Sequence, residues 1–253
     1  MLPDNLNPAT DEKITPALCQ PDSLWLDFFG AKLVYANDLV TGFQSDAGIT
    51  LSIEYNGNKK PVNATYIEDG NWLFKTQWSY NGEGQVSEEI YAFNLYGTGE
   101  GEKSKYLLTY NNGKRYAAGS YYFDASAAEY VYAGKMIYHW SNDNLVSTDH
   151  YDDSDEKVMT TTYSYDLAKL NNFYNAASFS QLLLGPPDGS NLQDAFLLSK
   201  NIMTRATESD FDERDYIFEY TYNTENLVHT ITAKDMTNGG AVESVQKFFY
   251  KCD

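Results

Sequence analysis

Cysteine is nearly absent from this chain: Cys19 and Cys252 are the only two among 253 residues, one near each end. That count and spacing exclude a zinc–thiolate site. The two are read as separate thiols. The alternative, a disulfide between Cys19 and Cys252, requires the termini to meet and would then contribute roughly 4–5 kcal/mol through the loop it closes. Histidine is scarce as well. His139, His150 and His229 form no His-x-His or His-x-x-x-His pair, so no metal triad is expected. There is no Gly-x-Ser-x-Gly elbow. Gly97-Thr98-Gly99-Glu100-Gly101 lacks the following helix and the basic residue of a phosphate loop and reads as a flexible turn, so no cofactor is expected.

Positive charge is the minority, 18 Lys+Arg against 36 Asp+Glu, for a formal net charge of −18. Such a field repels phosphate backbones and anionic headgroups, which disfavours nucleic acid as a partner. No stretch approaches the ~18 uninterrupted apolar residues of a membrane helix. Met1-Leu2-Pro3-Asp4 opens a polar stretch holding Pro3, Pro8, Pro16 and Pro21, without the charged and apolar regions of a signal peptide. Residues 1–22 read as a flexible tether and 23–253 as one domain.

Aromatic residues are abundant, 15% of the chain with 22 Tyr and 13 Phe. Most fall into a recurring pattern in which an alternating run ends in Tyr or Trp, a tight polar turn follows, and an apolar pair often restarts the alternation. The copies end at Tyr35, Tyr55, Tyr80, Tyr110, Trp140, Tyr165 and Tyr222, and the middle ones recur about every 28 residues, the length of one long hairpin. Trp72, Phe74, Thr76, Trp78 and Tyr80 alternate with polar residues. So do Tyr216, Phe218, Tyr220 and Tyr222, while Val242–Tyr250 reads as a strand covered on both faces. The second face carries Lys75, Gln77, Glu89, Glu219 and Lys247 and is read as wet, which argues against the continuous apolar band of a membrane barrel. Sheets of this size curl or close. The expected fold is all-β, a meandering antiparallel barrel or strongly curved sheet of about 10–14 strands. Phe and Leu at helical intervals before Gly185-Pro186-Pro187 predict one short helix or ordered loop near 171–184.

The Tyr-x-Tyr-Asp/Asn turns, the Asn-Leu-Val restarts and the Leu182-Leu183-Leu184-Gly185 interruption resemble lipoproteins of the Bacteroidetes with a porin-like β fold, a family without an assigned activity. The resemblance spans roughly residues 30–251. It implies an exported protein, periplasmic or at the outer-membrane surface, touching membrane only through an N-terminal lipid anchor. The anchoring cysteine is not found at the start of this chain.

Candidate chemistry is sparse. Asp152-Asp153-Ser154-Asp155-Glu156 and Asp210-Phe211-Asp212-Glu213-Arg214-Asp215 lie between strands, where Asp serves turns, and neither has the pattern of an EF-hand. Asn63-Ala64-Thr65 matches a glycosylation acceptor that matters only in a eukaryotic secretory route. Trp25, Trp72, Trp78 and Trp140 are mainly packing residues by pattern. Trp72, Trp78 and Trp140 are the candidates for a sugar-stacking platform. The leading functional expectation is a non-enzymatic exported binding or structural protein of the cell envelope, with a glycan or an envelope protein as partner. The alternatives are a glycan-active hydrolase with paired carboxylates in the barrel mouth and a scaffold subunit of an envelope complex.

Overall fold

The computed structural model describes residues 19–26, 29–37, 39–94, 101–171, 192–209 and 213–252. They form sixteen strands and one helix. The first half comprises β1 (Cys19–Leu26), β2 (Phe29–Ala36), β3 (Leu39–Ser45), β4 (Ile49–Tyr55), β5 (Pro61–Glu68), β6 (Asn71–Tyr80), β7 (Val86–Phe93) and β8 (Lys103–Asn111). The second half comprises β9 (Lys114–Asp124), β10 (Glu129–Ser141), β11 (Asn144–Tyr151), β12 (Lys157–Leu170), α1 (Leu192–Leu198), β13 (Asn201–Ser209), β14 (Arg214–Tyr222), β15 (Val228–Asp235) and β16 (Ala241–Cys252).

Each strand pairs antiparallel with its sequence neighbours, and β16 returns to β1, closing a sixteen-stranded barrel. Closure leaves no strand edge exposed. The seam begins at Cys19 opposite Cys252 and ends at Leu26 opposite Gln246, so the sheet takes in Cys19–Asp22 from the stretch read as tether. Pro21 fits there because the register shifts between Pro21 and Ser23, where the absent N–H is tolerated. The strand count exceeds 10–14 because several strands, such as β3 and β4 with 7 residues each, are short. Residues 172–184, where a helix or ordered loop was expected, lie outside the described residues, and the helix that is described follows the Gly-Pro-Pro break, at Leu192–Leu198. The glycine-rich turn also lies largely outside them.

Turn chemistry explains the recurring Asn after Tyr. In the five-residue loops that begin at Asn56, Asn81, Asp152 and Asn223, the side-chain Oδ1 accepts two backbone N–H groups, two and four residues on, at 2.8–3.1 Å. An Asx side chain thus substitutes for a backbone acceptor and fixes the loop. The acidic run at 152–156 is one such loop. Other hairpins use two-residue turns, for instance Asn112-Gly113, both with positive φ (50° and 78°), as type I′ geometry demands.

The recurring aromatic closes each hairpin. Tyr35 at the end of β2 donates its hydroxyl to Pro21 O in β1. Tyr55, Tyr80, Tyr110, Tyr165, Tyr220 and Tyr250 do the same to Val40, Pro61, Val86, Leu145, Met203 and Val228, and Trp140 Nε1–H donates to Arg115 O, all at 2.5–2.8 Å. Every even-numbered strand therefore supplies one aromatic donor to the odd-numbered strand before it. The eight form a ring at the end of the barrel that also holds both termini. In β14 the donor is Tyr220 rather than Tyr222, and Tyr250 is the eighth member.

Many of the described inward side chains pack together into one apolar cluster. Leu24, Phe43, Leu145, Ile202, Met203, Val228 and Phe248 are at most 2% exposed, and an aromatic band of Phe43, Tyr66, Phe74, Tyr91 and Tyr106 crosses the interior with ring centroids 4.6–6.2 Å apart. Each fully buried apolar side chain contributes about 1.5–3 kcal/mol. Lys32, Glu54, Lys75, Gln77, His139, Glu219 and Lys247 face outward and are exposed.

Candidate functional site

Among the described residues, polar side chains gather at several places, two of which bear on a site. The first is inside. Arg115, at the start of β9, points into the barrel and meets Asp194 of α1 (Nη1–Oδ1 2.7 Å) and Glu89 of β7 (Nη2–Oε1 3.9 Å). Tyr138 donates to the second Asp194 oxygen at 2.6 Å and Tyr91 to Glu89 at 3.0 Å. Glu89 was expected on the wet face. It pairs with Trp78 on the inner face and is 8% exposed. That correction follows from a counter-charge 26 positions downstream, two strands away across β8, which the alternation does not announce. Burial pushes the Glu89 carboxyl above its ordinary range, and the Arg115 guanidinium opposes the shift.

The same cluster anchors α1. Ala195 and Phe196 are buried, Ser199 Oγ accepts Leu145 N–H at 3.0 Å, and Asn144 and Asn201 exchange hydrogen bonds at 2.9 and 3.0 Å. The helix therefore covers the interior at the ringed end. Two carboxylates do converge here, but around one guanidinium in a packed core, an arrangement suited to holding a helix rather than to admitting a substrate.

The three candidate tryptophans are dispersed. Trp78 is buried at 6% exposure on the inner face of β6, and Trp140 is a member of the aromatic ring. Trp72 leaves the inner row because a bulge at Leu73 shifts the register, and its ring lies 4.5 Å from the Nζ of outward-facing Lys75. Among the histidines, His139 pairs with Asp149 at 2.9 Å on the outside, and His229 meets the Phe249 ring edge-on. His150 is pushed down to about 4, chiefly by burial and against the pull of Asp149. Among the described residues no group of three or more His, Cys, Asp or Glu converges. Asp215, the described end of the second acidic run, makes a two-pronged pair with Arg205 at 2.6 and 2.7 Å.

The second polar gathering is outside. Register places two rows of outward side chains side by side across neighbouring strands. One row runs Glu54, Asn63, Gln77, Ile90, Lys105, Tyr121 and Tyr132, each paired with the next. The other runs Ser52, Thr65, Lys75, Ala92 and Lys103. Between them lies a groove of about 380 Å³, floored by the small Thr65 and Ala92 and walled at one end by Tyr130. Lys105 reaches to 4.5 Å from the Tyr130 ring and 5.1 Å from Tyr121, and Lys103 to 5.2 Å from Phe123. At the other end Asn63 Nδ2 donates to Glu54 at 2.7 Å. Period-2 alternation marks these residues as outward-facing. It carries no sign that residues as far apart as Glu54 and Tyr130 come to line one groove.

No protein-family model matches the chain, and no curated protein is similar to it. Among solved structures, a porin-like protein from Bacteroides vulgatus is similar over 91% of this chain and 98% of its own, with 15% identity and a TM-score of 0.59. A porin-like protein from Bacteroides uniformis covers 93% and 98% at 12% identity, with a TM-score of 0.42. The likeness to the first is one of fold.

Proposed function

We propose that this chain is a non-catalytic binding protein of a bacterial cell envelope, exported and held at the membrane surface by a lipid-anchored N-terminal tether, and that it binds glycans in the outer groove across β4–β10. The groove carries the reading. It offers flat aromatic surface at Tyr130 and Tyr121, amides at Asn63 and Gln77, a hydroxyl at Thr65 and cations at Lys75 and Lys103. Those are the parts a sugar ring needs, an apolar face to rest on and converging donors and acceptors for its hydroxyls.

The envelope assignment is supported by the fold shared with the porin-like protein from Bacteroides vulgatus. A conducting or membrane-spanning role fits poorly. Many described side chains bury on the inner face, and exposed Lys75, Gln77, Glu219 and Lys247 interrupt the outward band that lipid would contact. Each lysine at the bilayer midplane would cost ~2–4 kcal/mol.

The test is retardation of the purified protein in gels containing single polysaccharides, with Tyr130→Ala and Gln77→Ala beside the unchanged protein and Trp140→Tyr as a variant outside the groove. Retardation that weakens in the groove variants at unchanged melting temperature, and persists in Trp140→Tyr, is the expected result. A protein retarded by no polysaccharide would sink the reading.

A further inference from the structure

The lysines in and beside the groove differ from six basic residues elsewhere on the barrel. Lys114, Lys135, Lys157 and Lys234 each meet a carboxylate at 2.5–3.5 Å, and Arg115 and Arg205 do so at 2.6–2.7 Å. Lys75, Lys103 and Lys105 make none of the ion pairs among the described residues. Their ammonium groups stand 4.5–5.2 Å from the rings of Trp72, Phe123, Tyr121 and Tyr130. Three neighbouring lysines on one face, none in an ion pair among the described residues, form a local positive stripe on a strongly negative molecule. Ring faces hold an ammonium by its charge yet leave its N–H donors pointing to solvent. Two carboxylates lie on the same face: Glu54, occupied by Asn63, and Glu88, whose charge raises the Tyr130 hydroxyl after burial does.

Resting on the glycan reading above, we infer that the groove selects an acidic polysaccharide, one whose sugar carboxylates pair with Lys75, Lys103 and Lys105 while its ring faces rest on Tyr130 and Tyr121. The net charge of −18 repels a polyanion at long range. Attraction therefore acts only within about a Debye length of the stripe. This disfavours any anion that lacks groups for the tyrosines and amides, duplex nucleic acid included.

The experiment compares polygalacturonate with the same polymer after reduction of its carboxyl groups, and with a double-stranded oligonucleotide and dextran sulfate as polyanions of other kinds. Binding is measured on the full chain and on the Lys75→Gln, Lys103→Gln, Lys105→Gln triple variant, whose exposed substitutions are checked by melting temperature. The expected result is binding to polygalacturonate that drops at least about tenfold in the triple variant and on carboxyl reduction, and recovers when the three positions are Arg. Equal binding to the reduced polymer overturns the acidic class and leaves a neutral glycan site standing. Equal binding of dextran sulfate or the oligonucleotide overturns it in favour of charge alone. No binding to either polymer, nor to any polysaccharide in the retardation series, overturns both readings.

Discussion

The hydroxyl of a rim tyrosine is a single donor placed on a single carbonyl, and its worth can be read one atom at a time. Tyr110→Phe removes the bond to Val86 O and keeps the ring, so a loss of about 1 kcal/mol in urea unfolding is expected. Trp140 does the same job with an indole N–H. Trp140→Tyr should therefore stay within about 1.5 kcal/mol of the parent, whereas Trp140→Ala should lose about 3–5 kcal/mol. Equal losses for the two would show that a tyrosine ring and hydroxyl cannot take over from the indole. Burial, helped by nearby Asp22 for Tyr35 and Glu89 for Tyr80, pushes both hydroxyls up to about 12. A raised phenol keeps its proton in the folded chain after the unfolded chain has lost it. Stability consequently falls as pH rises from about 10 through 12.

His150 works at the acid side. With a folded pKa of about 4 against 6.5 unfolded, the folded chain binds fewer protons between those values, so stability is lost as pH falls through that window. The full effect is about 3 kcal/mol. His150→Gln should flatten the dependence of the denaturation midpoint on pH between about 4 and 6.5. An unchanged slope would mean that the imidazole is as well solvated folded as unfolded.

Among the elements, α1 is the one held by charge. Asp194 ties it to Arg115 and Tyr138, and removing one partner of a buried pair costs ~3–5 kcal/mol because the other is left exposed to a poor solvent. Asp194→Asn should destabilise by that order, and a double-mutant cycle with Arg115→Met should return a coupling above about 1.5 kcal/mol. A coupling near zero would assign the docking to the apolar contacts of Ala195 and Phe196. The strands were legible from alternation, and their turns from Asn and Gly, because both are local chemistry. The helix was not. Its seven residues (Leu192–Leu198) carry too short a period to read, and what makes them helical is the pocket they enter. In β10 the bulge at Gly134 was equally hidden: φ is +131° and a Cβ would sit 2.2 Å from Tyr151 O, a constraint set by the neighbouring strand.

On the scale of the whole barrel, the seam between β1 and β16 is where the chain's two ends become neighbours. The backbone register sets Cys19 directly opposite Cys252, which meets the condition on which a bridge depends. We expect the chain recovered from an oxidising compartment to carry this disulfide, with thiol–disulfide exchange supplying the oxidation. A mass 2 Da below the reduced chain and no alkylation without reductant would establish it. Reduction should then lower stability by roughly 4–5 kcal/mol. Two thiols that alkylate in the untreated protein would reject the bridge.

Length, alternation and turn residues by themselves determined an antiparallel meander of hairpins with aromatic restarts, because strand period and turn conformation depend on residues a few positions apart. They also marked Trp72, Lys75 and Gln77 as members of one strand. Only tertiary structure decided that sixteen strands close, that Glu89 faces a buried arginine rather than water, and that Lys75 and Lys103 share a groove with Tyr130. Register accumulates from one strand pair to the next, so it decides which side chains two or four strands apart become neighbours, and with them the partner that each charge receives, while closure adds the seam of β1 with β16. No local pattern encodes that pairing.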